Sequence, residues 1–503
     1  MNEQVEKRGI KNRTIHYISI ILFALVTFCY SCQEDTVSGA TDIPLSFSLD
    51  TLRFDTVFTS LGSATRSFKI FNELDEAVII DRIQLRNTSG FFRLNIDGVS
   101  SSSAENVRIE ALDSIYVFAE VTIDPDNPLS ISPFIIEDLI DIQAKNSVYD
   151  IHLEAWGQNA NYLPNRNANG QVNFISCNLD TWEWNDPRPY VIYGALVIDS
   201  CRVSIPAGQS VYVHGGIAIN DLGVYNDGLI IFLSNASLNT FGTVEEPVRF
   251  LSDRLEEEFL DVSGQWGGII LNAGSRDNTL RHTQIKNSIV GVSVDSTSFL
   301  RMEECEISYT SGSAVAAAHA SVYAQNCLFY ANGGSSVNLS YGGSYIFNHC
   351  TMANYDNQET AVSANNFRCS DAFCQGPIAI NGLYAEFNNC IIVGNDDDEI
   401  SLSDITEGEQ GNLFVYNFNE CIVKVDDLLD ADAFPNFFDN CNNCLNSENS
   451  DTLFIDIDNY DFHLDTLSIA IDKAKYINPL NYDLERLPRE INSPDIGCYE
   501  FQK

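Results

Sequence analysis

The stretch "YIFNHCTMANY", residues 345–355, carries Cys350 between an alternating apolar run and an Asn. The same setting recurs at "RMEECEIS" (301–308), "YAQNCLFY" (323–330), "AEFNNCIIV" (385–393) and "NFNECIVK" (417–424). Cys305, Cys327 and Cys350 are spaced by 22 and 23 residues, and a further step of 22 back from Cys305 lands on Thr283 in "LRHTQIKNS". Asn287, Asn332, Asn354 and Asn395 each follow their aligned Thr or Cys by four or five residues. A fixed period of this length, built from short β-rich pieces and turns, is the mark of a solenoid.

A period near 22 suits a right-handed parallel β-helix, whose coils each contribute about three strands and stack at ~4.8 Å. An antiparallel sandwich of similar strand content would keep no such register. The recurrent Asn is expected at a corner, where its amide can satisfy turn backbone groups of adjacent coils. Stacked cysteines would have Cα atoms ~4.8 Å apart, within disulfide range, yet their Cβ vectors would run parallel. The reading is therefore a ladder of free inward thiols at Cys305, Cys327 and Cys350, with His349 pointing to the opposite face. Two pairs fall outside the ladder: Cys369 with Cys374 in "FRCSDAFCQG" and Cys441 with Cys444 in "FDNCNNCLNS". Both could form local disulfides in an oxidising compartment, and Cys177 with Cys201 could staple the first coil.

The rest of the chain is organised around this region. From 41 to 157, runs such as "RSFKIFN", "AVIIDRIQL" and "SIYVFAEVTID" alternate with turn clusters, which predicts an immunoglobulin-like β-sandwich. A polar linker leads to the β-helix, expected over 165–502, making an all-β protein of two parts. At the start, Lys7, Arg8, Lys11 and Arg13 precede the short apolar run "IHYISIILFALVTFCY", a targeting pattern over 1–31. The 70 Asp and Glu against 28 Lys and Arg give a formal net charge of −42 over 503 residues. Such a surface repels nucleic acid and anionic head groups, so a nucleic-acid partner is not expected.

Two resemblances add to this reading. Ser31 followed by Cys32 resembles the lipobox of bacterial lipoproteins, and the "QED" that follows resembles the acidic signal of Bacteroidetes surface lipoproteins. This implies lipidation of Cys32, an anchor linker at 32–40, and exposure on the outer membrane. The segments "DRLEEEFLDVSGQWGGIIL" (253–271), "LRHTQIKNSIVGVSV" (280–294) and "EFNNCIIVGNDDDEISL" (386–402) resemble a family of Bacteroidetes lipoproteins with a pectate-lyase-like right-handed β-helix. "YDFHLDTLSIAID" followed by "SPDIGCYEF" is similar to the closing segment of many secreted β-helices, with Cys498 where a small Ala is usual. The closing segment is expected to cap the end of the solenoid, and Trp182 and Trp184 to pack at its start.

The resemblance implies an acidic or complex polysaccharide as partner. Lyases of this superfamily need a cation or Arg to neutralise a uronate and a base to take the adjacent proton, and hydrolases need carboxylates facing one cleft. No catalytic motif of either kind is legible. Arg281, His282 and Lys286 fit a strand entering a corner. Asp253, Arg254, Gln265 and Trp266 are candidate ligand-binding residues, since an Arg, a carboxylate and an exposed Trp could build a sugar-acid subsite. The duller account is a long loop pinned by Trp266. Asp396, Asp397, Asp398 and Glu399 offer the hard oxygen ligands that suit calcium, or simply a solvated turn. The expectation is a surface lipoprotein with a binding or structural role toward glycans or the cell envelope, the alternative being a polysaccharide lyase or hydrolase.

Overall fold

The computed structural model describes residues 36–58, 65–87, 91–122, 134–158, 160–163, 172–220, 223–255, 257–355, 357–371, 373–409, 411–430 and 434–501. The targeting segment expected over 1–31 and Cys32 lie outside these. The chain divides into two compact units after Gln158.

In the first unit, alternating burial along strands such as Ser114–Val121 gives each of two five-stranded sheets one apolar face. Phe68, Ile70, Leu94 and Val117 of one sheet share a core with Phe54, Ile80, Ile142 and Leu153 of the other. Most neighbours pair antiparallel, whereas Thr51–Phe58 runs parallel to Ser147–Gln158.

The second unit is a parallel β-helix. Its strands form parallel sheets of 11 and 17 strands, the larger one wrapping two strand positions of each coil. The repeat found in the sequence is its register: Gln284 pairs with Glu306, Glu306 with Leu328, Leu328 with Thr351, Thr351 with Ile391, Ile391 with Ile422, and Ile422 with Leu445. The preceding residues, Thr283, Cys305, Cys327, Cys350, Cys390, Cys421 and Cys444, therefore stack in one inward row. Sequence spacing lost this row after Cys350 because loops interrupt the next coils, one of them holding the antiparallel pair Phe367–Cys369 and Ile378–Ile380. Beside the thiols, Phe387 lies between Phe347 and Phe418 at centroid distances of 5.1 and 4.8 Å.

The coil also turns just before the ladder. The residue immediately before each ladder position is left-handed: His282, Glu304, Asn326, His349, Asn389, Glu420 and Asn443 have φ from 40 to 56°. Such a bend turns the chain within one residue, and Asn tolerates it best. The recurrent Asn residues four or five places later stand where the ladder strand ends and the chain turns, as expected. Asn287 Nδ2 donates to the carbonyls of Leu260 and Val262, Asn354 Nδ2 to the Glu359 carbonyl and Asn395 Nδ2 to the Tyr355 carbonyl of the preceding coil, while Asn332 accepts from Thr310 Oγ1 at 2.8 Å.

The staple expected at the first coil is present. Cys177 and Cys201 sit one coil apart with Cα atoms 4.8 Å apart and are bridged. Cys201 follows left-handed Ser200 as the ladder thiols follow theirs, but Cys177 precedes left-handed Asn178 and Leu179, so the two are not equivalent positions and their Cβ vectors need not run parallel. The closing segment, expected at the end of the solenoid, covers a flank. Phe462, Leu464, Ile496 and Cys498 pack on Leu328, Ala353, Ile391 and Ile422, which are outward residues of successive coils. Buried Arg489 fastens it, donating to Glu500 Oε2 at 3.0 Å, Asn326 Oδ1 at 3.0 Å and the Gly497 carbonyl at 2.9 Å. At the start of the solenoid, Trp184 is buried, stacks on Tyr190 at 4.8 Å and meets Trp182 edge-on at 5.2 Å.

Candidate functional site

Register places three side chains in line on the outer face of the early coils. Tyr193 pairs with His214, and Asp253 follows Ser252, the partner of Val213. The Tyr193 and His214 rings stack at 4.6 Å, and His214 Nδ1 lies 2.7 Å from Asp253 Oδ2. Burial alone would lower the His214 pKa, but the hydrogen bond and charge of Asp253, with Asp227 adding, raise it above the ordinary 6.5. Burial likewise pushes the Tyr193 phenol up.

His214 and Asp253 border a cleft of ≈ 370 Å³, also lined by Asp227, Arg254, Phe259, Gln265 and Trp266. Its floor depends on glycine: a Cβ on Gly215 would sit 1.7 Å from the Gln265 carbonyl oxygen. The Arg254 guanidinium lies 3.7 Å from the centroid of Phe259, a cation–π contact that aligns it at the wall.

All four candidate ligand residues thus line one cleft, in two different ways. Asp253 and Arg254 present charge. Gln265 is committed to the loop, donating through Nε2 to the carbonyls of Phe259 at 2.6 Å and Val262 at 2.8 Å. Trp266 is 1% exposed and donates Nε1 to the Lys286 carbonyl at 2.8 Å, so the exposed sugar platform is replaced by a loop pin. His214, Asp227 and Tyr193 escaped the sequence reading because the period was seeded on cysteines of later coils. The 21-residue step from Tyr193 in "YVIYG" to His214 in "YVHGG" was the signal that could have found two of them.

The other candidates disperse. Arg281 pairs with Glu303 at 2.7 Å beside a hollow that also holds His282 and Arg486, and Lys286 Nζ pairs with Asp261 at 2.8 Å. The acidic run does not gather. Buried Glu399 accepts from the backbone amides of Asp396 and Ala361, both at 2.9 Å, and Asp398 accepts from the amide of Asp426 at 2.8 Å. Burial raises the Glu399 pKa to about 7. Among the described residues, no three His, Cys, Asp or Glu side chains are grouped to hold a metal ion, so the calcium expectation at Asp396, Asp397, Asp398 and Glu399 finds no ligand set. Cys369 and Cys374 are bridged, whereas Cys441 and Cys444 are free thiols, a correction to the second local pair. Cys444 is the last member of the inward row and stacks on Cys421.

No protein-family model matches the chain, and no curated protein matches it in sequence. Among solved structures, it is similar to XylC in complex with xylose, at 10% identity and a TM-score of 0.33, over 89% of this chain and 88% of that one. A GH87 α-1,3-glucanase catalytic domain matches at 11% identity and a TM-score of 0.19, over 71% and 77%. A family 123 glycoside hydrolase from Clostridium perfringens matches at 8% identity and a TM-score of 0.18, over 39% and 48%.

Proposed function

We propose that this protein is a surface-exposed lipoprotein, anchored in the outer membrane through Cys32, that binds polysaccharide in the His214–Asp253–Arg254 cleft. One observation carries the binding site: a cleft of ≈ 370 Å³ in which a paired His and Asp and an aromatic-backed guanidinium face one space. Hydroxyls of a sugar ring find acceptors in the carboxylates and donors in Arg254 and the imidazole, and a uronate carboxylate would complement the guanidinium. A non-catalytic role is favoured because, of the cleft carboxylates Asp253 and Asp227, Asp253 is engaged by His214, whereas glycoside hydrolysis needs two carboxylates turned to the scissile bond.

The alternative is a polysaccharide lyase or hydrolase. His214 favours it, since a carboxylate at Nδ1 orients an imidazole in the manner of a general base. Retention of the full chain on a panel of acidic and neutral polysaccharides tests the binding reading, with new reducing ends and absorbance from unsaturated products followed alongside. Binding without cleavage, weakened by Arg254→Ala and Asp253→Asn, is expected; cleavage lost in His214→Gln would establish the enzyme, and no retention would reject both. Separately, Cys32→Ala should abolish incorporation of radioactive fatty acid, and persistent labelling would remove Cys32 as the anchor.

A further inference from the structure

We infer that Cys441 and Cys444 form a redox-active dithiol that exchanges with small disulfides, Cys444 as the attacking thiol and Cys441 as the resolving one. The inference is independent of glycan binding and rests on how the thiol row ends.

Along the row, every thiol from Cys305 to Cys421 is at most 1% exposed and donates to the carbonyl two residues before it, at 3.2 to 3.5 Å. Burial pushes these thiols well up in pKa, which suppresses the thiolate that any exchange needs. These five thiols are packing groups.

Cys444 continues the row by register but not by environment. It is half-buried and lacks the bond to its own strand, reaching only the Phe418 carbonyl at 3.5 Å. The turn around left-handed Asn443 sets Cys441, also half-buried, beside it at C-x-x-C spacing. The adjacent Cys421 and Cys441 thiols hold the Cys444 thiol below its ordinary pKa, while Cys444 in turn raises that of Cys441. The row thus ends on a half-buried sulfur favoured as the thiolate, beside a neighbour that keeps its proton.

The exchange balances as follows. The Cys444 thiolate attacks one sulfur of R–S–S–R, forming a mixed disulfide and releasing one thiolate, which takes a proton. Cys441 then loses its proton and attacks Cys444 Sγ, releasing the second thiol. The protein pair is oxidised by two electrons and the small disulfide is reduced to two thiols. Cys177 and Cys201 show that a neighbouring-coil bridge is also attainable in this solenoid, so Cys421 is the competitor that the test must separate.

The full chain, reduced and then exposed to glutathione disulfide under native conditions, should be alkylated and mapped by mass spectrometry. A Cys441–Cys444 bridge is expected, with Cys305, Cys327, Cys350, Cys390 and Cys421 still reduced. In the reduced chain, Cys444 should be alkylated more than about tenfold faster than those five. Cys441→Ser should accumulate a glutathione adduct on Cys444, and dithiothreitol should reverse both products. A native chain in which Cys444 reacts no faster than the buried thiols would overturn the inference, whatever the fate of the variant. A Cys421–Cys444 bridge in either protein would overturn the role given to Cys441.

Discussion

Two histidines at opposite ends of the same strand position in the coil have opposite fates. His214 ends an early-coil strand, stays partly exposed and holds Asp253 at the edge of a cleft. His349 turns a later corner and is fully buried, its Nε2 2.8 Å from Asn389 Nδ2. The difference lies in what reaches the outer face: over the later coils, residues 453–499 pack on the outward positions that would otherwise meet solvent. A parallel β-helix repeats its backbone, so whether an outward polar residue serves structure or ligand depends on what lies over that coil.

The comparison is broken most severely at Arg489. Arg489→Ala should destabilise the β-helix by about 3–5 kcal/mol, because it leaves the Glu500 carboxylate buried without its partner. Chemical denaturation checks this, and limited proteolysis should show release of the closing segment. A loss below about 1 kcal/mol would mean that the segment is held by its apolar contacts alone.

Next come the histidines themselves. Once unfolded, each titrates near 6.5. Burial, then the Arg489 charge, keeps the folded His349 well below that value, so the unfolded chain binds more protons and stability falls as pH drops through 6.5. His214 is held above 6.5; the stability it contributes is complete below 6.5 and is lost as pH rises through its folded pKa. Each effect has a slope of at most about 1.4 kcal/mol per pH unit. Denaturation midpoints between roughly pH 5 and 8 should lose their acid-side slope in His349→Gln and their alkaline-side slope in His214→Gln. Flattening on the same side by both would contradict the assignment. The smallest expected effect is Arg254→Ala, which should cost about 0.5–1 kcal/mol through the lost contact with Phe259, measured by the same denaturation, while weakening polysaccharide retention.

Much of this was readable from spacing alone. The rise from Cys305 to Cys350 yields the coil because stacked inward positions must repeat wherever no loop intervenes. It fails at Cys390 and Cys421, where inserted loops lengthen the coil without changing the register. The left-handed turn before the ladder escaped the spacing because Asn, His and Glu all occupy it, which leaves no single residue type to recognise, whereas the Asn corner after the ladder strand was legible from its recurrence. The cleft was half legible. Asp253, Arg254, Gln265 and Trp266 are close in sequence and stand together, but only the fold brings His214 and Asp227 to them, and only packing shows that Gln265 and Trp266 face the loop.

The most direct test is hydrogen exchange on the full chain with and without saturating polygalacturonate. Slowed exchange is expected at residues 213–216 and 252–254, with none at 345–355 beneath the closing segment. No slowing at the cleft, or slowing confined to the later coils, would contradict the account.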